Sequence, residues 1–274
     1  MPPFVTFLSD FGLQDDFVGT CHGVIRRIAP EVAVIDITHG ISPQAVLQGA
    51  LVLANTIPYM PVGVHLAVVD PGVGSSRRPL ALRDSEGRLY VGPDNGLLLP
   101  AADRAGLEEI RELANPAYAL QQISWTFHGR DLFAPAAAHL ANGVPLAEIG
   151  PPIEPDSLVR LELPTPGIRD GELEATSLYV DSFGNIALNL TRDDIERIGI
   201  APETRVELDL IGQQYYAVAA RTFADARPGD VILYEDSYRN MSIAISNGSA
   251  AARLHAAPGT RIRIRPLGVT REIG

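Results

Sequence analysis

The chain has 274 residues, 46% of them hydrophobic and 6% aromatic, enough for a sizeable core and, at this length, for two domains. Lys and Arg number 22 against 33 Asp and Glu, a net charge of −11, which argues against the basic face that nucleic acid or an anionic membrane surface requires. A single cysteine, Cys21, excludes an internal disulfide and argues against a cysteine-based zinc site.

In chain order, "FVTFLS" reads as a strand, and "MPPFVTFLSDFG" enters it without the basic and apolar regions of a signal peptide. "FVGTCHGVIRRIA" follows with apolar residues at helical spacing. "VAVID" reads as a second buried strand, and "PQAVLQGALVLANTI" predicts a helix with Pro43 near its first turn. "VHLAVV" gives a third strand, "PLALRD" and "RLYVG" a hairpin around Ser85, Glu86 and Gly87, and "DLFAPAAAHLANG" a helix closed by Gly143. Continuous apolar strands interleaved with helices predict a mostly parallel sheet covered on both faces.

After about residue 150 the composition changes. "PPIEPDS" and "LPTPGIRDG" read as a linker. Then "EATSLYV", "NIALNL", "RVELDL", "YYAVAA", "DVILYE", "MSIAIS" and "TRIRIR" are short alternating segments separated by turn residues. They predict a small antiparallel barrel or sandwich. The expected fold class is α/β: an N-terminal, mostly parallel sheet flanked by helices, plus a smaller C-terminal antiparallel β-barrel-like domain. The expected boundaries are 1–151 for the α/β domain, 152–167 for the linker and 168–274 for the β domain. No apolar run reaches the roughly 20 residues of a membrane span, no internal repeat stands out, and a reducing cytoplasm is the expected location.

Ligands of open parallel sheets bind beyond the carboxyl ends of the strands, and unusual polar residues collect there. "SDFGLQDDF" supplies Asp10, Asp15 and Asp16, "VVDPGVGSSRRP" supplies Asp70 and Arg77, "VGPDNGLL" supplies Asp94 and Asn95, and "WTFHGRD" supplies His128, Arg130 and Asp131. Each has an ordinary alternative. Asp15 or Asp16 suits the N-cap of the helix from Phe17, and Asp70 with Arg77 suits a plain loop salt bridge worth under ~1 kcal/mol. "GVG" lacks the Gly-Lys-Ser/Thr ending of a P-loop. A carboxylate-metal site from Asp10, Asp15, Asp16 and Asp70 has no histidine pair at helical spacing to support it. In the second half, "YVDSFGNIALN" and "YEDSYRNMSIAISNGSAA" place further polar residues at turns.

Together, "FLSDFGLQDDFVG", "IDITHGISP", "VVDPGVGSSRR", "GPDNGLL", "FHGRDLFAPAAAHLA", "DSFGNIALN", "TFADARPGD" and "ISNGSAA" occur in an order that resembles one family, from about residue 4 to about residue 265. This is the SAM hydroxide adenosyltransferases, or S-adenosyl-L-methionine hydrolases (adenosine-forming), relatives of the SAM-dependent fluorinase and chlorinase. The resemblance implies attack of water on C5′ of the adenosyl group, releasing adenosine and L-methionine. It implies a homotrimer, with each site between the α/β domain of one subunit and the β domain of a neighbour. It also implies SAM as substrate, with no metal or tightly bound cofactor.

By the same resemblance, Asp70, Arg77 and His128 form the water-handling triad. Asp10 grips the ribose hydroxyls, Asp15 lies near the methionine end, and Phe127 is a substrate contact. Asp181 faces the methionine ammonium and Asn185 the adenine. Ser237, Ser242 and Asn247 fall in the segment that holds the carboxylate and the base. In the halogenases a tyrosine replaces Asp70, a serine replaces Gly129, and the fluorinase has a long insertion where this chain has only "RDSEGR". A carboxylate repels a halide and accepts a hydrogen bond from water, so these departures point to hydrolysis. The competing readings are a halogenase, a non-catalytic SAM or adenosine sensor, and a carboxylate-metal phosphoesterase. A SAM methyltransferase is set aside because no "GxGxG" turn follows the first strand.

Overall fold

The structure is a computed structural model and describes residues 3–267. Contacts divide the chain into two compact units, Met1–Leu161 and Glu162–Gly274. The stretch 152–161 packs on the first unit: Ser157 bonds Arg78, Val159 N donates to Asp94, and Leu158 is buried.

The first unit is built on a six-stranded sheet. In chain order its elements are β1 (Phe4–Ser9), α1 (Phe17–Ile28), β2 (Ala33–Thr38), α2 (Val46–Thr56), β3 (Val64–Val68), β4 (Pro79–Asp84), β5 (Leu89–Pro93), α3 (Leu99–Ala105), β6 (Leu107–Glu112) and α4 (Ala134–Ala141). The strand order is β2-β1-β3-β5-β4-β6; β2, β1, β3 and β5 pair in parallel, and β4 runs the opposite way, antiparallel to both β5 and β6. Alternate residues serve opposite faces, as the pleat dictates. Val5, Phe7, Val64, Leu66 and Val68 pack in one core with residues of α1 and α4. Leu8, Ala67 and Val69 pack in another with residues of α2 and α3. Both faces being covered explains why β1 and β3 are buried throughout and mostly apolar.

Two expectations need correction. β2 is an edge strand, and none of its six residues is fully buried. Its apolar residues are only partly covered, Val34 against one core and Ile37 against the other. Pro43 lies outside α2, because Gln44 takes a left-handed conformation (φ 64°) and the helix starts only at Val46.

His65 in β3 is a buried polar group whose Nδ1 lies 2.9 Å from Thr6 Oγ1. Burial, then the Arg88 charge, lowers its pKa from 6.5 to about 4, against an opposing pull from Asp84. The folded ring therefore stays neutral while the unfolded chain takes up a proton below pH 6.5. Stability should fall as pH drops from 6.5 towards 4, by about 3 kcal/mol in the limit. Urea unfolding at stepped pH checks this, with His65→Gln flattening the slope; equal slopes would remove the assignment.

The second unit holds β7 (Gly167–Arg169), β8 (Glu172–Val180), β9 (Ile186–Leu188), α5 (Arg192–Arg197), β10 (Arg205–Leu210), β11 (Gln213–Ala219), β12 (Val231–Glu235), β13 (Met241–Ile245), α6 (Ala250–Leu254) and β14 (Arg261–Pro266). Pairing of β14 with β8 closes seven strands into a barrel in the order β8-β9-β13-β12-β11-β10-β14, with β7 paired to β8 outside the ring. Alternating inward residues such as Val206, Leu208, Leu210, Ile262 and Ile264 fill its core. Among the described residues no helix is long and apolar enough to cross a membrane.

Candidate active site

The order of the parallel strands reverses at β1, whose two neighbours are β2 and β3, and such a switch point opens a crevice at the strands' carboxyl ends. Asp10 follows β1 and Asp70 follows β3. The loop after Asp70 is tightly wound: Val73 N donates to Asp70 O (3.2 Å), and Ser75 N and Oγ both donate to Gly72 O (3.1 and 2.7 Å). Gly74 has φ 78°, and a Cβ placed there would lie 2.5 Å from the Trp125 carbonyl oxygen. The loop carrying Asp70 and Arg77 can therefore lie against the segment carrying His128 only with glycine at this position.

Three of the expected residues meet. Arg77 donates from Nε to Asp70 Oδ1 (3.1 Å) and from Nη2 to Asp70 Oδ2. The same Nη2 donates to His128 Nδ1 at 3.0 Å. The Asp70 and Arg77 side chains are only 6% and 7% exposed, so this pair is not a screened surface bridge. Phe133 covers the guanidinium, 5.1 Å from ring centre to Cζ.

A guanidinium is always a donor, so His128 Nδ1 must accept, and the proton of the neutral ring sits on Nε2. Burial first, and then the Arg77 charge, lowers the His128 pKa, while Asp70, Asp131 and Ser124 push the other way. At neutral pH the ring is thus an uncharged Nε2–H donor. Asp70 remains the group with acceptor capacity.

His128 precedes a wide π turn, Gly129–Phe133, that leads into α4. Asp131, fully buried, fixes this turn: it accepts from Ser124 N (2.8 Å) and from Arg130 Nε and Nη2 (2.6 and 3.0 Å). Burial would raise its pKa, but these donors outweigh it and the net shift is downward. Gly129 is closely covered, and a Cβ there would lie 2.9 Å from Phe11 Cζ. A residue with a Cβ therefore fits at this position only if Phe11 shifts. Phe127 packs its ring against Phe17 (5.1 Å) and Phe11 (5.7 Å), with Arg130 over its face.

Asp10 Oδ2 accepts from Gln44 N (2.8 Å), which orients the carboxylate and accounts for the left-handed turn before α2. Asp15 is exposed, and among the described residues no hydrogen bond joins it to Asp10 or the triad. Asp16 is the N-cap of α1, although its carboxylate accepts from Thr20 Oγ1 rather than from a helix N–H. "RDSEGR" is a closed turn between β4 and β5, in which buried Asp84 accepts from Glu86 N, Arg88 N and Tyr90 Oη.

The β unit carries a second polar group. Asp181 Oδ1 accepts from Phe183 N and Asn185 N (both 2.9 Å), and Oδ2 accepts from Asn185 Nδ2 (2.8 Å). The turn between β12 and β13 repeats the pattern: Asp236 Oδ1 accepts from Tyr238 N (2.8 Å) and Asn240 N (3.0 Å), and Oδ2 accepts from Ser242 Oγ (3.2 Å). Ser242 is buried, while Ser237 and Asn247 are exposed, Asn247 in a left-handed turn. Burial, together with the charges of Asp181 and Asp236, pushes the Tyr179 and Tyr234 hydroxyls up to about 12. Two carboxylates therefore share one neighbourhood with two neutral phenols, an environment that suits a cation.

Asp236 is absent from the site residues expected above, although the sequence carries a signal for it. "DSFGN" and "DSYRN" share the pattern Asp-Ser-x-x-Asn, with an aromatic residue at the third position of each.

The family described as "SAM hydroxide adenosyltransferase N-terminal domain" matches residues 5–150, and the corresponding C-terminal domain matches residues 175–263. The chain is 46% identical over 263 residues to a protein of Salinispora arenicola named (R)-S-adenosyl-L-methionine hydrolase, covering 96% of this chain and 97% of that one. A Thermus thermophilus protein of the same name is 38% identical, covering 95% and 98%. A fluorinase of Actinoplanes is 31% identical, covering 88% and 90%. The solved structure of an uncharacterized conserved protein from Thermotoga maritima superposes with a TM-score of 0.87 at 34% identity, covering 95% and 99%.

Proposed function

The chain belongs to the SAM hydroxide adenosyltransferase family, and from that premise we propose that it hydrolyses S-adenosyl-L-methionine at ribose C5′, giving adenosine and L-methionine. The observation that carries this reading is the Asp70–Arg77–His128 cluster at the switch point. Water oxygen forms the bond to C5′ as the C5′–S bond breaks, and the electron pair of that bond returns to sulfur. The leaving group is a neutral thioether, so no acid is needed to protonate it. The enzyme has to place the water in line, remove its other neighbours and accept its proton.

In this reading Asp70 accepts the proton of the attacking water, and His128 Nε2–H donates to the water's lone pair and fixes its direction. Arg77 takes no part in proton transfer; it locks the other two. Asp10 holds the ribose diol, and Asp15 and Phe127 contribute to the substrate's surroundings. Asp181 and its twin Asp236 suit the methionine ammonium, Asn185 the adenine, and Ser237, Ser242 and the backbone near Asn247 the carboxylate and base. A halide in place of the water would face the Asp70 carboxylate at close range, which disfavours halogenation. No resident metal enters any step.

The reading includes a homotrimer in a reducing cytoplasm, with the β-unit residues supplied by a neighbouring copy. The names of the relatives specify the R configuration at sulfur, and we extend that preference to this chain. The experiment is incubation with each SAM epimer in oxygen-18 water, using protein whose sedimentation mass has been measured. Adenosine labelled at its 5′-oxygen, formed faster from the R epimer by a species of three chains, is the expected result. Unlabelled adenosine, or tight binding without turnover, would replace hydrolysis with another nucleophile or a sensor role. An active monomer would remove the trimer.

A further inference from the structure

A second chemical cluster shares no residue with the triad. His22 from the middle of α1, Asp36 from β2 and His39 just beyond β2 bring one ligand atom each to within 4.8 Å of one another. We propose that these three side chains bind a divalent transition-metal ion of the zinc class.

The spacing fits an ion. His22 Nε2 and His39 Nε2 lie 2.9 and 3.1 Å from the same oxygen, Asp36 Oδ1. Neighbouring ligands held at metal distances of about 2.0–2.1 Å stand roughly 2.9–3.4 Å apart in octahedral or tetrahedral geometry. Hydrogen bonding alone accounts for only half of the arrangement. His22 does bond Asp36, but His39 Nε2 is buried and has no hydrogen-bond partner although the carboxylate is near. The His39 side chain is 2% exposed, and a buried ring nitrogen left unpaired is costly. A shared ion satisfies it without requiring the carboxylate to lie in line with an N–H.

The surroundings are those of a ligand histidine. The other ring nitrogen, His39 Nδ1, faces Ser9 Oγ at 2.7 Å, an outer partner that can fix the tautomer leaving Nε2 bare. Backbone geometry explains how Asp36 and His39 share a side at all. Residues three apart on a regular strand point to opposite faces. Here the β1–β2 register slips, Phe7 opposing Asp36 and Leu8 opposing Thr38, so Ile37 is an extra residue that re-aims Thr38 and His39. His22 and Asp36 remain partly exposed at 33% and 40%, leaving an entry path and room for water ligands. Two imidazoles with one carboxylate favour Zn²⁺, Co²⁺ or Ni²⁺ over Mg²⁺ or Ca²⁺, which prefer oxygen.

The ion would tie α1 to the end of β2. His39 O also accepts from Gly12 N (2.8 Å) in the loop that follows Asp10, so the tie would stiffen that loop as well. A histidine pair drawn from two separate elements escapes any search for paired histidines at helical spacing.

The test uses the full-length chain without a histidine tag, stripped with chelator and dialysed. Calorimetry with Zn²⁺ should give one ion per chain, Co²⁺ should give a visible ligand-field spectrum, and Zn²⁺ should raise Tm. His22→Gln and Asp36→Asn, both at partly exposed positions, should each weaken Zn²⁺ binding by about tenfold or more and abolish the Tm shift. Failure of the unmodified chain to take up Zn²⁺, or equal uptake by both variants, overturns the site. Neither readout depends on SAM turnover, so the outcome is independent of the proposed hydrolysis.

Discussion

Asp70→Asn is expected to slow SAM turnover by roughly a hundred- to ten-thousand-fold, the usual weight of a positioned proton acceptor. The change is nearly isosteric, and the remaining carbonyl oxygen can still accept from Arg77, so the loop from Asp70 to Arg77 should keep its shape. What disappears is the capacity to take a proton from water while a C–O bond forms. Since the leaving thioether needs no acid, no other proton transfer can mask the loss. Binding of intact SAM, measured by calorimetry with the slow variant itself, should change by only about twofold. Parallel losses in binding and turnover would make Asp70 a substrate contact and nothing more. Unchanged turnover would mean that bulk water takes the proton.

Arg77→Met should cost stability as well as activity. With the Asp70 side chain 6% exposed, removing the guanidinium leaves a carboxylate desolvated with no partner charge. Breaking such a pair from one side typically costs about 3–5 kcal/mol. The double variant Asp70→Asn with Arg77→Met should be more stable than Arg77→Met alone, because the stranded charge is gone. Urea unfolding of the four proteins closes the cycle. A loss below about 1 kcal/mol for Arg77→Met would mean that the pair behaves as a solvent-screened bridge. His128 supplies a separate readout: without the Arg77 charge its pKa should rise towards the ordinary value, visible in a proton NMR titration.

The sequence discloses most where burial dictates composition. β1 and β3 are mostly apolar because helices cover both faces, and the alternating strands of the β unit are legible for the complementary reason. Elements at edges read poorly. β6 is "LEEIRE", too charged to look like a strand, and β2 is apolar enough to pass for a buried one. The short helices α3, α5 and α6 carry too few turns to show a period.

The site divides in the same way. Asp70, Arg77 and His128 can be picked out from motif order, but no spacing rule says that one nitrogen of Arg77 bonds both partners. That contact depends on Gly74 passing under the Trp125 carbonyl, a meeting of residues some 50 positions apart. The His22, Asp36 and His39 cluster depends on one extra residue in a strand, which leaves no mark in composition. Asp236, in contrast, is readable, since its turn copies the one at Asp181.

In the barrel each strand of the ring has a neighbour on both sides, and the three-residue β7 alone stands outside it. Among the described residues the ring therefore limits open backbone edge to short stretches, such as the part of β11 before Val218, where its pairing with β12 stops. Over most of the ring a docking partner meets side chains, among them those on the hairpin ends, where Phe183 and Tyr238 stand 79% and 43% exposed. Recognition and folding are thus written in separate alphabets here. The turn tips are free to drift towards new ligands while the ladder of main-chain hydrogen bonds that holds the barrel together is left untouched.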